Sequence, residues 1–268
     1  MDDAGMARLG SFRAEVGRLA PGSHEIDLSK ASFLCPAACA FMTAVRDDAA
    51  KRGVFLQVDG ARCSDDLARH LEMSQVIPGE RRSRTTVPVR IFPPGSTAFG
   101  AFLRDEWLPQ LRDLTAPASE YVQLAMGEIF ANAFQHSRSE IGVASCGQYF
   151  AKTNELHLTV LDLGIGIPAT VAAGVGVREH ELDPEKAIRW AFQPRNSSVP
   201  TSRGFGLAIL SKFVSANGGG LKVYSGRGYA EIGALRSERS TAYPFPGTVV
   251  DVIVRRVLYV PGSKEELF

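Results

Sequence analysis

Three polar residues in the middle of the chain, Glu128, Asn132 and His136, follow one another at four-residue steps. Because an α-helix advances 3.6 residues per turn, this spacing predicts that they share one flank of a helix from about Ser119 to Gln135. A separate, apolar stripe of the same helix consists of Val122, Ala125, Met126, Ile129, Phe130 and Ala133. The helix is expected to pack one face on a core and to line something polar with its flank. Taken alone, the three polar residues could equally form a solvated surface.

The next informative polar residue is Asp162, at the end of a predicted strand. Alternation along a strand puts Asp162 on the same face as Leu158 and Val160, which is the core face. A buried carboxylate needs a partner, because leaving it unpaired would be very costly. The glycines that follow, Gly164 and Gly166, let the backbone come close to a ligand. The sequence therefore predicts a ligand beside this acid, about thirty residues after the polar helix.

A glycine-rich helix start forms the third piece of the pattern. Gly204 and Gly206 precede a predicted helix whose apolar positions are Leu207, Leu210, Phe213 and Val214. Glycines at a helix start expose backbone N–H groups to an anion, and the helix dipole adds to the attraction. An isolated Gly-x-Gly is more often a tight turn, but three pieces in this order and spacing favour a binding site.

In this order the segments resemble the ATP-binding domain of the GHKL superfamily, which includes gyrase, the heat-shock chaperone, histidine kinases and mismatch-repair proteins. Residues 128–136 resemble its N box, residues 162–166 its G1 box and residues 203–207 its G2 box. Gly247 and Thr248, before a closing strand, are similar to the last element of that site. The resemblance covers residues 116–258 and is closest to the anti-sigma-factor serine kinases and their stand-alone relatives.

This resemblance implies ATP and Mg²⁺ as ligands and assigns a role to individual residues. Asp162 would accept a hydrogen bond from the adenine amino group, and Thr248 would support that contact directly or through water. Asn132 would bind Mg²⁺ through its carbonyl oxygen, and the ion would bridge the phosphates. Glu128 would act as a general base on water or on a protein hydroxyl. The boxes bring further residues to the expected nucleotide site: Ala133, Gly164, Gly166, Arg203, Gly204, Phe205, Gly206 and Leu207.

Some positions near the expected site have two interpretations. His136 could contact the nucleotide, or it could satisfy carbonyl groups at the helix C-terminus. The segment from residue 167 to residue 204 corresponds to the ATP lid of the family, and a helix is predicted within it over residues 183–192. Arg195 and Arg203 in this segment are phosphate contacts or solvated loop charges.

An N-terminal segment, residues 25–92, resembles a STAS domain, the fold of anti-sigma-factor antagonists. The pattern predicts a helix over residues 37–51, a strand over residues 55–58 and a strand over residues 87–92, the last at a sheet edge because of Pro88. In the antagonists a serine opens the first helix and is phosphorylated. Here Cys35, Pro36, Ala37 and Ala38 occupy that neighbourhood, so the acceptor is missing. The alternative is a generic small α/β domain.

The expected organisation follows from these segments. The fold class is α/β: a Bergerat-type two-layer sandwich, with a mixed sheet and helices on one face, preceded by the small STAS-like domain. The predicted units are a STAS-like domain at residues 1–92, a connecting helix within residues 93–115, the ATP-binding domain at residues 116–258 and a tail at residues 259–268.

Composition excludes several classes of protein. Thirty Lys and Arg against 29 Asp and Glu give a net charge of +1, unlike a strongly basic nucleic-acid binder. Neither a membrane span nor a secretory signal is evident, so a cytoplasmic location is expected. Four scattered cysteines favour buried free thiols over a disulfide framework or a metal site.

Two classes of function remain open. One is an ATPase or a serine/threonine protein kinase that acts on a partner protein, and the retained Glu128 favours it. The other is a non-catalytic, ATP-dependent switch that binds a protein regulator; a homodimer is compatible with either. A histidine autokinase is disfavoured, because only His24 and His70 precede residue 100 and neither lies in an evident helical hairpin.

Overall fold

A computed structural model describes residues 3–111, 116–193, 206–216, 218–232 and 237–255 of the chain. Its α-helices are α1 (Asp3–Val16), α2 (Pro36–Ala50), α3 (Asp65–Met73), α4 (Phe99–Phe102), α5 (Ala116–His136), α6 (Gly166–Val175), α7 (Pro184–Ala191) and α8 (Gly206–Ala216). Its strands are β1 (Gly22–Ile26), β2 (Val54–Val58), β3 (Thr86–Phe92), β4 (Val143–Phe150), β5 (Glu155–Asp162), β6 (Gly220–Ile232) and β7 (Ser237–Val254). The α/β class is confirmed. None of the described helices is long and apolar enough to cross a membrane.

The strands form a small sheet and a larger one. β1 and β2 pair in parallel, while the larger sheet has the order β3-β4-β5-β7-β6. Every strand pair of the larger sheet in the described residues is antiparallel, so the prediction of a mixed sheet is wrong. Short connections between consecutive strands β4 and β5, and between β6 and β7, favour hairpins, which are antiparallel by construction.

β3 lies in the larger sheet rather than in the N-terminal one. It pairs with β4 and occupies an edge, which the proline at position 88 predicted. A register shift between Val87 and Arg90 brackets that proline, which has no N–H to donate. Strand patterning is local and does not specify a sheet, so the grouping of this strand with residues 25–58 is corrected. The division of the chain into the four predicted units stays a prediction.

Both faces of the larger sheet are covered, which corrects the expectation of helices on one face only. On one face, α5 and α8 pack on side chains such as Leu158 and Val160. On the other face, α1 and α2 pack on side chains such as Ala144, Leu161 and Val249. α2 is buried around most of its circumference, because it lies between the larger sheet and β1-β2. The N-terminal segment therefore shares a core with the face of the larger sheet that α1 and α2 cover.

The connecting helix predicted within residues 93–115 is broken into three short pieces in its described part. α4 continues into a π-helical turn, Leu103–Trp107, and then into a 3₁₀ turn, Leu108–Gln110. Pro109 within the last turn cannot donate to an α-helical hydrogen bond. The buried side chain of Trp107 anchors the segment in the core.

Two predicted helices and the free state of the cysteines are confirmed. The helices expected at residues 37–51 and 183–192 are present as α2 and α7, and the Asp183 carboxylate caps α7 by accepting from the Glu185 N–H at 2.9 Å. All four cysteines are free thiols, but burial is complete only for Cys39 and Cys146, whereas Cys35 and Cys63 are partly exposed.

Candidate functional site

α5 presents the polar flank that its sequence predicted. The apolar stripe is buried at Val122, Ala125, Met126, Ile129 and Phe130, and Ala133 is half-buried against the same core. The stripe is fixed in rotation by aromatic contacts: the Phe130 ring stacks on Phe99 with centroids 5.1 Å apart and meets Phe92 edge-on at 5.5 Å. The helix begins at Ala116, one turn before the expected Ser119.

Glu128, Asn132 and His136 are half-buried along this flank. Within the described residues, the side chains of Glu128 and Asn132 make no hydrogen bond. Burial lowers the pKa of His136, which favours the neutral imidazole at neutral pH. The flank thus offers a carboxylate and an amide that no group in the described part of the chain engages by a hydrogen bond.

Asp162 is the last residue of β5 and is only 3 % exposed. Its Oδ1 accepts a hydrogen bond from the Gly164 N–H at 2.9 Å, and the backbone N–H of Thr248, its register partner on β7, also donates to the carboxyl group. Burial nevertheless raises the pKa of Asp162 to about 7. The two hydrogen bonds and the charge of Arg13 act in the opposite direction but do not compensate. This acid is therefore held at a cost in stability, as functional acids often are.

The loop after Asp162 is joined to the end of α5. The Ile165 N–H donates to the Ser137 carbonyl at 2.8 Å. A Cβ atom at Gly164 would lie 1.8 Å from that same carbonyl oxygen, so only glycine allows the approach. The Thr170 hydroxyl lies 2.8 Å from the Gly166 carbonyl and 3.4 Å from the His136 carbonyl. These contacts bring the predicted N-box and G1-box segments together.

Gly247 brings β7 to the same place. Its φ is +94°, and a Cβ atom there would lie 2.1 Å from the Asp162 carbonyl oxygen. Glycine is required by both the left-handed backbone and this contact. The next residue, Thr248, then meets Asp162 in register.

Ser225 on β6 is a buried residue of this site that sequence reasoning missed. Its hydroxyl accepts from the Ile167 N–H at 2.7 Å and donates to the Gly247 carbonyl at 3.0 Å, and it lies 2.9 Å from the Thr248 hydroxyl. One side chain therefore joins β6, β7 and the start of α6. The only signal in the sequence is a serine before a glycine within a strand, which is too common to be diagnostic.

Ser225→Ala is expected to lower the free energy of unfolding by about 1–3 kcal/mol, because it leaves the buried Ile167 N–H and Gly247 carbonyl without this partner. Urea denaturation measures the change, with the exposed Ser23→Ala as the matched control. A loss no greater than that of the control would contradict the role of this hydroxyl.

Several predicted site residues lie outside the described part of the chain. These are Arg203, Gly204 and Phe205 of the G2-box segment, together with Arg195. Gly206 and Leu207 open α8, which packs against α5 through the buried side chains of Leu210, Phe213 and Val214. The helix that the G2 box was expected to start is therefore present and lies beside α5.

No group of three or more His, Cys, Asp or Glu side chains suited to a metal ion occurs among the described residues. A cation at Asn132 would need oxygen ligands from water or from a bound phosphate, which is how Mg²⁺ is commonly held.

No model of a protein family matches the chain, and no curated protein matches its sequence.

Proposed function

We propose that this chain is a regulatory protein that binds Mg-ATP in the manner of the GHKL superfamily and either hydrolyses ATP or phosphorylates a partner protein on serine or threonine. One observation carries the proposal: a buried carboxyl group with a raised pKa, Asp162, joined through Gly164 to the end of a helix whose flank carries Glu128 and Asn132. A cytoplasmic location belongs to the same proposal.

Adenine recognition would use the acceptor capacity of Asp162. A carboxylate offers two oxygens with about four acceptor positions, and backbone N–H groups of Gly164 and Thr248 use only part of that capacity. An exocyclic amino group donating to the remainder would stabilise the ionised form, which burial disfavours. Ligand binding would thereby offset the cost of burying the ionised carboxyl group. This gives a functional reason for the protein to retain a carboxyl group that is unfavourable in the ligand-free state.

The metal and the phosphates would lie along the flank of α5. Asn132 follows Glu128 by about one helical turn, so their side chains project in nearly the same direction. Asn132 would bind Mg²⁺ through its carbonyl oxygen, and Glu128 would take a proton from the attacking water or hydroxyl. When bound, Mg²⁺ would neutralise phosphate charge.

The other candidate is a non-catalytic switch that binds a protein regulator in response to ATP. The burial of the start of α2 bears on a different question, namely whether a phosphoryl acceptor could lie in this chain. The Cys146 thiol of β4 donates to the Pro36 carbonyl at 2.9 Å, and Ala37 and Ala38 are buried. The neighbourhood that carries the acceptor serine in STAS antagonists is thus packed against the sheet. Any phosphoryl acceptor is therefore proposed to come from another protein.

Asn132→Ala tests the proposal through its metal ion. The variant is expected to lose most of the gain in ATP affinity that Mg²⁺ gives the wild type, with little change in the affinity measured in EDTA. Calorimetric titration with ATP, with and without Mg²⁺, measures both quantities. Gln135→Ala, which removes an exposed amide from the same helix, is the control. Equal losses with and without Mg²⁺ would mean that Asn132 is structural, and no binding by the wild type would refute the proposal.

A further inference from the structure

The N-terminal helix α1 lies against the strand that supplies Thr248 to the candidate site. Met6 and Val16 of α1 are buried in the same core as Phe245 of β7. Gly10 lies close enough to β7 that a Cβ atom there would be 3.3 Å from the Pro244 carbonyl oxygen. The helix is thus packed on β7 directly before Gly247 and Thr248, the residues of this strand that reach the site.

Arg13 extends from α1 to this part of β7. Its side chain is 28 % exposed, and Nη1 donates to the Pro246 carbonyl at 3.5 Å. Nη2 lies 3.9 Å from the Asp48 carboxylate of α2. A guanidinium group stays protonated at neutral pH, so Arg13 brings a fixed positive charge to the Pro246 peptide group.

One residue, Gly247, separates this contact from the group that binds Asp162. Pro246 precedes Gly247, whose α-carbon lies against the Asp162 carbonyl, and Gly247 precedes Thr248, whose N–H donates to the Asp162 carboxyl group. A displacement of Pro246 would be transmitted through this short stretch, because close contacts leave Gly247 no room to absorb it.

The charge of Arg13 also acts on Asp162 through space. It lowers the pKa of Asp162 against the larger effect of burial, and among the described residues no other charged side chain contributes to this shift. Besides Asp162, the charged groups that act on Arg13 in turn are Asp48 of α2 and Arg52, which follows that helix, and these two have opposite signs. Low-dielectric surroundings preserve such an interaction over distances at which water would screen it.

We propose that Arg13 is a positioning residue of the nucleotide site: from the N-terminal helix it holds the 246–248 segment beside Asp162 and brings a fixed positive charge to that segment. This inference rests on the proposed function. It implies that α1 contributes to the site through Arg13. A partner that displaces α1 would then weaken nucleotide binding.

The test compares Arg13→Met, which removes the charge, with Arg13→Lys, which retains it. Arg8→Met removes an exposed charge from the same helix and is the control. The first readout needs no nucleotide: carboxyl ¹³C NMR follows the titration of Asp162, and the signal is assigned by its loss in Asp162→Asn. We expect the titration midpoint to move to higher pH in Arg13→Met and to stay near that of the wild type in Arg13→Lys and Arg8→Met.

The second readout is ATP affinity as a function of pH. Arg13→Met is expected to bind more weakly than the wild type at pH 9, where Asp162 is ionised in both and only the hold on the 246–248 segment is lost. At pH 7 the deficit should be larger by a further factor of roughly two to ten. Titration of ATP itself cancels in this comparison, because all variants meet the same ligand. A structural role alone would weaken binding by the same factor at every pH.

An unchanged Asp162 titration in Arg13→Met, or an equal shift in Arg8→Met, would overturn the role of Arg13. A shifted titration together with an absence of ATP binding by the wild type would instead refute the proposed function, and the nucleotide role of Arg13 with it. Circular dichroism shows whether each variant is folded. If Arg13→Met is not folded, Arg13→Gln, which also removes the charge, takes its place in both readouts.

Discussion

Asp162→Asn is expected to stabilise the nucleotide-free protein at pH 8 and to weaken its binding of ATP at the same pH. The carboxyl group is buried, and its pKa is raised to about 7 from the ordinary 3.8. Ionising it in the folded state therefore costs on the order of 4 kcal/mol relative to the unfolded chain. An amide avoids this cost but loses one acceptor, worth about 1–3 kcal/mol. The net gain in unfolding free energy is about 1–3 kcal/mol.

The sign of the pH dependence follows from the raised pKa. Between pH 3.8 and pH 7 the folded state binds more protons at Asp162 than the unfolded state does, so this group lowers stability as the pH rises through that window. Its favourable contribution is fully present below pH 3.8 and is lost above pH 7. The advantage of Asp162→Asn should accordingly shrink as the pH is lowered from 8 to 4. Urea denaturation at several pH values measures this difference.

The loss of ATP affinity is expected to be roughly five- to 150-fold at pH 8, because a misplaced buried hydrogen bond costs about 1–3 kcal/mol. Calorimetry measures it. Asp251→Asn is the control, since Asp251 is a buried acid of the same sheet that accepts from the Thr159 hydroxyl at 3.1 Å, far along the strands from Asp162. Unchanged ATP binding in Asp162→Asn would contradict the assignment of this residue to adenine.

The features of the site that the sequence predicted are those that depend on local periodicity. Val122, Met126 and Phe130 recur at helical spacing, so the buried face of α5 and the polar flank beside it follow directly. Asp162 lies at every second position with Leu158 and Val160 and so shares their face of β5. This pattern predicted its burial on the face that α5 covers. Gly164 was predicted to let the backbone approach a ligand; in the structure the group it approaches is the Ser137 carbonyl of the protein itself.

The features that the sequence did not predict depend on which segments meet. Strand β3 pairs with β4 because the chain folds back through α4 and α5, and nothing in its own residues specifies that partner. Ser225 and Arg13 reach the site from β6 and from α1, and each is an ordinary residue of its own element. The second helical layer was missed for the same reason: the small residues of α2, such as Ala40 and Ala44, fit against either sheet.

Glu128→Gln is expected to separate the enzyme from the switch. If the protein transfers or hydrolyses phosphate, the variant should lose turnover by about 10²–10⁴-fold while it still binds Mg-ATP, because an amide cannot accept the proton. Glu128 lies on the half-buried flank and outside the apolar stripe, so this near-isosteric change should leave the packing of α5 intact. Phosphate release and ³²P labelling of candidate partner proteins measure turnover, and calorimetry measures binding.

Glu120→Gln on the same helix is the matched control, because Glu120 is exposed and about two helical turns from Glu128. It should match the wild type in both turnover and binding. If Glu128→Gln turns over at the wild-type rate, Glu128 is not the general base. If the wild type binds ATP but neither releases phosphate nor labels a protein, the switch is the correct class. In that case the half-buried carboxylate would serve binding alone, and ATP-dependent affinity for a regulator, unchanged in Glu128→Gln, would be the activity to measure.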